Sequence, residues 1–129
     1  MGEEVNVYAF VNIKSEGGKF MPNSINMVLN EFKVKVKEIL GDRVKKIILY
    51  GSYARGDYNN NSDVDIMILT DLNFEEIEKY RDDISDIAFE IELKTGIMLS
   101  PIIKNAEEYS IRIKYIPFYK NVNKEGVII

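Results

Sequence analysis

The sequence predicts an α/β fold of the mixed α+β type, a small mixed β-sheet flanked by helices. Segments with the two-residue period of strands alternate along the chain with segments that carry the apolar stripe of helices. Glycine, proline or asparagine marks most of the boundaries between them. The 129 residues, 46% hydrophobic and 29% charged, suffice for one hydrophobic core. We therefore expect one domain over residues 1–129.

The first half of the chain is predicted to contain two strands and a helix. Residues 5–13 alternate as a strand does, and residues 1–20 are expected to be an appendage to the functional domain. A helical pattern follows Met21 and ends at Gly41. Residues 44–50 form the next predicted strand, followed by a Gly-Ser turn and a polar loop over residues 55–62. The apolar stripe of the helix consists of Ile25, Val28, Leu29, Phe32, Val36, Ile39 and Leu40.

The second half is predicted to continue with strand, helix and strand. Residues 63–69 form a strand, and Asn73 with Glu76 three residues later has the pattern of a capping box that opens a long helix ending at residues 95–96. A strand over residues 97–103 contains Pro101, which favours an edge position or a distortion of the strand. Asn105 is expected to cap a short helix, and residues 117–124 and 127–129 predict a last helix and a last strand. The stripe of the long helix consists of Ile77, Tyr80, Ile84, Ile87, Ala88 and Ile91.

The composition excludes several kinds of chemistry. The chain has no His, no Cys and no Trp, so it has no Ser-His-Asp triad, no Cys nucleophile and no zinc site of Cys and His ligands. Its net charge of −4 provides no general basic field, so we expect no nucleic-acid partner. No apolar run approaches the roughly 20 residues of a membrane span, and the first residues lack a signal-peptide pattern. We therefore expect a cytoplasmic protein.

The residues that indicate chemistry are two aspartates at the start of the predicted strand over residues 63–69. Asp63 and Asp65 are two positions apart, so in a strand they point to the same side. Two carboxylates so placed repel each other unless a cation neutralises them, and Mg²⁺ prefers such oxygen ligands. The alternative is a solvated pair of acids without a function.

Two other binding loops can be tested on the same stretch. Gly51 and Gly56 have the spacing of a phosphate-binding P-loop, but Asp57 stands where that loop requires Lys. A calcium-binding loop that begins at Asp57 would place Ile68 at its twelfth position, where Glu is required. Both interpretations fail.

The motif that remains is strand, Gly-Ser turn, polar loop, and strand with paired aspartates. The letters GSYARG at residues 51–56, followed by SDVD at residues 62–65, resemble the signature of the polymerase β-like nucleotidyltransferase superfamily. The likeness is greatest to its small minimal nucleotidyltransferase branch and covers roughly residues 21–103. The resemblance implies a fold similar to the palm of polymerase β.

The resemblance also implies roles for individual residues. Asp63 and Asp65 would be catalytic and would hold one or two Mg²⁺ ions. Gly51, Ser52 and Arg55 would bind the phosphates of ATP or another nucleoside triphosphate, with pairing to Asp57 or Asp63 as the alternative for Arg55. The reaction would transfer a nucleoside monophosphate, AMP from ATP foremost, to a hydroxyl group. Small members resemble antitoxins of toxin–antitoxin pairs, which implies a HEPN ribonuclease partner and a tyrosine acceptor.

One part of the family pattern is missing. The family places a third carboxylate on the strand after the long helix, and residues 97–103 contain no acid. Ser100 stands near the expected position. A catalytically silent module of the same fold, which binds a nucleotide or a protein, is therefore the alternative to an enzyme.

Overall fold

The computed structural model describes residues 23–129, which form four strands and five helices. The predicted strand over residues 5–13 and the predicted appendage over residues 1–20 lie outside the described residues. In chain order the elements are α1 (Asn23–Leu40), a turn of 3₁₀ helix (Gly41–Arg43), β1 (Val44–Tyr50), α2 (Ser52–Arg55), β2 (Val64–Thr70), α3 (Phe74–Thr95), β3 (Leu99–Asn105), α4 (Ala106–Arg112), α5 (Pro117–Glu125) and β4 (Val127–Ile128).

The four strands form one mixed sheet in the order β3-β2-β1-β4. Strand β1 runs antiparallel to both β2 and β4, whereas β2 and β3 run parallel and are connected by α3. The predicted mixed sheet with flanking helices is confirmed. Pro101 lies on β3 at the edge of the sheet, as predicted, because an edge strand tolerates a residue that has no N–H to donate.

Strand β2 is buried on both faces, which fixes the direction of its side chains. Val64, Ile66 and Ile68 belong to the larger core, which α1 and α3 cover. Met67 and Leu69 belong to a smaller core on the opposite face, beneath α4 and α5. The alternation along β2 therefore leaves Asp65 on the side of the smaller core, at the end of the sheet where β2 begins.

Helix α3 has both of its predicted ends. The Asn73 side chain accepts a hydrogen bond from the Glu76 N–H at 2.9 Å, and the Glu76 carboxylate accepts one from the Asn73 N–H at 3.1 Å. Arg43 adds an ion pair to Glu76 at 3.0 Å and one to Asp71, which joins the entry of β1 to the start of α3. The capping box and the stop at Gly96 are confirmed.

Several boundaries and burial predictions differ from the structure. Strand β3 begins at Leu99 and not at residue 97, because its pairing with β2 starts where Leu99 lies beside Val64. Strand β2 begins at Val64, so Asp63 precedes it. Ile39, predicted to be in the core, is 36% exposed, and Tyr80 is only partly buried. No helix within residues 23–129 is long and apolar enough to cross a membrane.

Candidate active site

Asp63 and Asp65 lie at the point where the polar loop enters the centre of the sheet. Val64, between them, is fully buried, and its N–H donates to the Met98 carbonyl at 2.9 Å. Because this residue is fixed by the core and by the backbone of the neighbouring segment, the two aspartates are held on the side away from the larger core. Asp63 is exposed and Asp65 is partly buried.

The neighbours of Asp65 are set by strand register. Tyr50, the last residue of β1, lies opposite Asp65, and Ser100 of β3 lies beside it. The Ser100 hydroxyl donates to the Asp63 carboxylate, with 3.4 Å between Oγ and Oδ2. Ser100 is therefore next to both aspartates, and the family resemblance calls for an acid near this position.

Gly51 makes a close approach to Asp65. Its backbone has φ 76° and ψ −155°, a region that is almost restricted to glycine. A Cβ atom at this position would overlap Oδ2 of Asp65 and would lie 3.2 Å from its Cγ. The turn thus brings backbone, without a side chain, directly against the carboxylate. Ser52 follows as the first residue of α2, a single helical turn where only a Gly-Ser turn and loop were predicted.

The charge of Asp65 is unfavourable in the folded protein. Burial raises the pKa of Asp65, the nearby charge of Asp63 raises this pKa further, and Arg55 opposes the shift. Burial also raises the pKa of Tyr50 to about 12, with a smaller contribution from the charge of Asp65. The carboxylate pair therefore has the electrostatic character of a site for a positive charge.

Arg55 is paired with two acids. Its guanidinium contacts the carboxylates of Asp57 at 3.2 Å and Glu125 at 3.1 Å. The expected pairing with Asp57 is confirmed, and within the described part of the chain no ion pair joins Arg55 to Asp63. The contact with Glu125 ties α2 to the end of α5. That Arg55 binds phosphate stays a prediction.

The polar loop between α2 and β2 is held by local hydrogen bonds. Ser62 Oγ accepts from the Asn59 N–H at 2.9 Å, and Asn59 Oδ1 accepts from the Asn61 N–H at 2.8 Å. The rings of Tyr53 and Tyr58 stack with centroids 4.3 Å apart. Ser62 thus closes the turn before β2.

A third carboxylate is absent from the site as far as the chain is described. Within residues 23–129, no group of three or more acidic side chains is arranged so that it could hold a metal ion. Glu92, near the end of α3, lines a cleft of about 220 Å³ together with Asp63, but it comes from the helix and not from β3. The donors at the sheet are two carboxylates and one hydroxyl, all oxygen, and this set fits a hard divalent cation such as Mg²⁺.

Sequence patterns missed two neighbours of the site. Tyr50 was identified only as the end of a strand, although an antiparallel pairing of β1 and β2 places it opposite Asp65. Phe118, from α5, packs edge-on against the Tyr50 ring with centroids 5.7 Å apart and is 43% exposed. Phe118 lies 68 residues from Tyr50 in the sequence, so no local pattern could have predicted their contact.

The structure combines a glycine turn, paired aspartates and a mixed sheet, the features on which the resemblance to nucleotidyltransferases rests. A family model described as "Nucleotidyltransferase domain" matches residues 29–128. The chain therefore belongs to the nucleotidyltransferase domain family. This membership confirms the resemblance noted in the sequence and makes the protein a nucleotidyltransferase-type transferase.

Relatives in Methanocaldococcus jannaschii have similar sequences. "Putative protein adenylyltransferase MJ0604" is 37% identical over 101 residues, which cover 78% of this chain and 93% of the relative. "Putative protein adenylyltransferase MJ0141" is 45% identical over 76 residues, which cover 59% of this chain and 75% of the relative. The similarity thus extends over most of the length of both relatives.

Proposed function

We propose that this protein transfers AMP from ATP to a hydroxyl group of a protein, with Mg²⁺ as its cofactor. The observation that carries the proposal is the contact of the Gly51 backbone with Asp65, beside Asp63, within a nucleotidyltransferase fold. The choice of AMP and of a protein acceptor is supported by the names of the relatives, which are called protein adenylyltransferases.

Each residue of the site has a proposed role in binding. Asp63 and Asp65 would hold Mg²⁺, which supplies positive charge to the triphosphate and to the pyrophosphate leaving group. Gly51 would contact the triphosphate through its backbone, and the space that a side chain would fill is taken by the Asp65 carboxylate, so the turn and the aspartate lie close together. The Ser52 hydroxyl would donate to a phosphate oxygen. Arg55 would contact phosphate by exchanging one of its two carboxylate partners.

The proposed reaction is an in-line displacement at the α-phosphorus of ATP. The acceptor oxygen forms a bond to this phosphorus while the bond to the bridging oxygen of the β-phosphate breaks. Pyrophosphate leaves, and the proton of the acceptor hydroxyl passes to water. The site would position the acceptor and the α-phosphate and compensate charge, so it needs no covalent intermediate.

The partner and the cellular setting are also proposals. By its resemblance to minimal nucleotidyltransferases, the protein would act in the cytoplasm as an antitoxin that modifies a tyrosine of a HEPN ribonuclease. A HEPN reading frame adjacent to the gene would support this assignment, and modification of the HEPN tyrosine in the pair would test it.

A specific observation favours a second candidate function. Ser100 occupies the strand position beside Asp65 where an acid would complete the site. A module that binds a nucleotide without transferring it would need only the turn and the two aspartates.

Calorimetry combined with a pyrophosphate assay separates the two candidates. Both predict that ATP binds in the presence of Mg²⁺ and that binding is lost in the Asp63→Asn and Asp65→Asn variants. Only the enzyme releases pyrophosphate when an acceptor protein is added. Binding of ATP that does not change in either variant would contradict both.

A further inference from the structure

Ser100 is held in a fixed place beside the two aspartates. It lies next to Asp65 in the parallel register of β2 and β3, and its hydroxyl donates to Asp63. Pro101 follows it directly and restricts its backbone to the extended region. Leu99, on the other side, is buried in the larger core, so alternation along β3 directs Ser100 toward the side of Asp65. The contact thus results from register and packing.

We infer that Ser100 is a ligand position of the cation site, with a neutral hydroxyl where the site would otherwise carry a third negative charge. This inference rests on the proposed function, because it assigns one further residue to the same site. The three side chains would offer two carboxylates and one hydroxyl, so the site has a charge of −2 in place of −3.

The lower charge affects the order in which the cation and the nucleotide bind. Affinity for a divalent cation falls as the number of charged ligands falls, and Mg²⁺ sites with one or two carboxylates depend on substrate phosphates for the remaining ligands. The site should therefore bind free cation weakly and should take up the cation together with the nucleotide. Ser100 makes cation binding conditional on ATP.

A pair of substitutions of equal size tests the ligand role. Ser100→Asp and Ser100→Asn introduce side chains of nearly the same shape, but only Asp adds a charge. Mn²⁺ alone, followed by paramagnetic resonance without nucleotide, should bind Ser100→Asp roughly tenfold or more tightly than the parent, while Ser100→Asn gains nothing. Equal Mn²⁺ affinity of the two variants would overturn the inference.

A second variant keeps the test decisive if Ser100→Asp fails to fold. The chain has no cysteine, so Ser100→Cys introduces one thiol with nearly the shape of serine. Cd²⁺, which prefers thiolate, should bind it and produce the ultraviolet absorbance of a cadmium–thiolate bond. This signal should weaken strongly when Asp63→Asn is added. The exposed Ser24 at the start of α1 gives the control, since Ser24→Cys has the same thiol with no acidic residue within four positions in the sequence.

The results also separate this inference from the proposed function. The cation measurements use neither ATP nor an acceptor, so a positive result stands even for a module that transfers nothing. Conversely, AMP transfer by the parent together with a Cd²⁺ signal that is the same for Ser100→Cys and Ser24→Cys would overturn the ligand role of Ser100 and leave the enzyme intact.

Discussion

At the scale of single residues, Gly51 and Asp65 form one structural unit. The turn conformation of Gly51 lets its backbone contact the carboxylate of Asp65, and the carboxylate is partly buried beside a second negative charge. Each residue constrains the other, since a side chain on Gly51 would displace the carboxylate. Two substitutions therefore test this part of the site.

Gly51→Ala should be far more damaging than Gly96→Ala. Both glycines have φ +76°, but a Cβ at Gly96 would meet nothing within 4 Å. Gly96→Ala should cost roughly 1 kcal/mol of backbone strain, whereas Gly51→Ala should cost roughly 3 kcal/mol because of strain and overlap together. Urea unfolding measures both values. Adding Asp65→Ala to Gly51→Ala should recover part of the loss, and equal losses for the two single variants would contradict the contact.

Asp65→Asn should increase stability at neutral pH. In the folded state the pKa of Asp65 is raised above its ordinary value of 3.8. At a pH between 3.8 and this raised pKa, the folded state therefore binds more protons than the unfolded chain. The contribution of Asp65 to the free energy of unfolding therefore becomes less favourable as the pH rises through this range. Asn removes this penalty, and the gain should shrink as the pH falls toward 3.8 and Asp65 becomes protonated.

Thermal unfolding of parent and variant across pH measures this gain. Asp57→Asn is the matched control, because it removes an exposed acid that is paired with Arg55 and should give no increase in stability. A lower melting temperature of Asp65→Asn at neutral pH, or a gain that does not depend on pH, would show that Asp65 is not under electrostatic strain.

At the scale of elements, two connections position the site. The register of β2 with its neighbours brings Tyr50 and Ser100 to Asp65, and the ion pair between Arg55 and Glu125 ties α2 to α5. The second connection involves the residue that we propose to contact phosphate. Under this proposal, Arg55 would have to release Asp57 or Glu125 when it binds ATP.

Substitutions at the two ends of this ion pair distinguish the roles of Arg55. If Arg55 contacts phosphate, Arg55→Ala should weaken ATP binding roughly 10- to 150-fold, because a charge-assisted hydrogen bond contributes about 1.5–3 kcal/mol. Glu125→Gln removes a competing carboxylate and should leave ATP binding unchanged or tighter. Titration calorimetry gives both dissociation constants. Equal weakening by the two variants would mean that Arg55 acts only by joining the helices.

Local signals predicted most of the elements but not their mutual arrangement. The period of the stripe in α3, its capping box and Gly96 lie within one segment, so the sequence contains all the information for that helix. The start of β3 depends on its partner, since Ile97 and Met98 have strand-like side chains but precede the pairing of Leu99 with Val64. The contact of Phe118 with Tyr50 and that of Glu125 with Arg55 likewise arise only from tertiary packing.

At the scale of the whole molecule, the two faces of the sheet differ: one is covered by the larger core, and the other carries Asp65. The larger core between the sheet, α1 and α3 holds β2 from one side. The opposite face is covered by the smaller core only along part of the strands, and Asp65 lies on this side at the end where β2 begins.

The paired aspartates and the Gly-Ser turn were predictable from sequence because they lie close together in it. The position of Ser100 beside them follows only from the register of β2 with β3, which the sequence alone does not give.

The proposed function requires that Asp63 and Asp65 support transfer of AMP from ATP. The most direct measurement incubates the protein with Mg²⁺, a tyrosine-containing protein acceptor, and ATP labelled on either the α- or the γ-phosphate. The α-label, and not the γ-label, should become attached to the acceptor, and replacing the acceptor's tyrosines by phenylalanine should abolish labelling. Asp63→Asn and Asp65→Asn should each reduce labelling at least about 100-fold, whereas Asp57→Asn retains it. Transfer of the γ-label, or α-labelling that survives both substitutions, would contradict this role of the two aspartates.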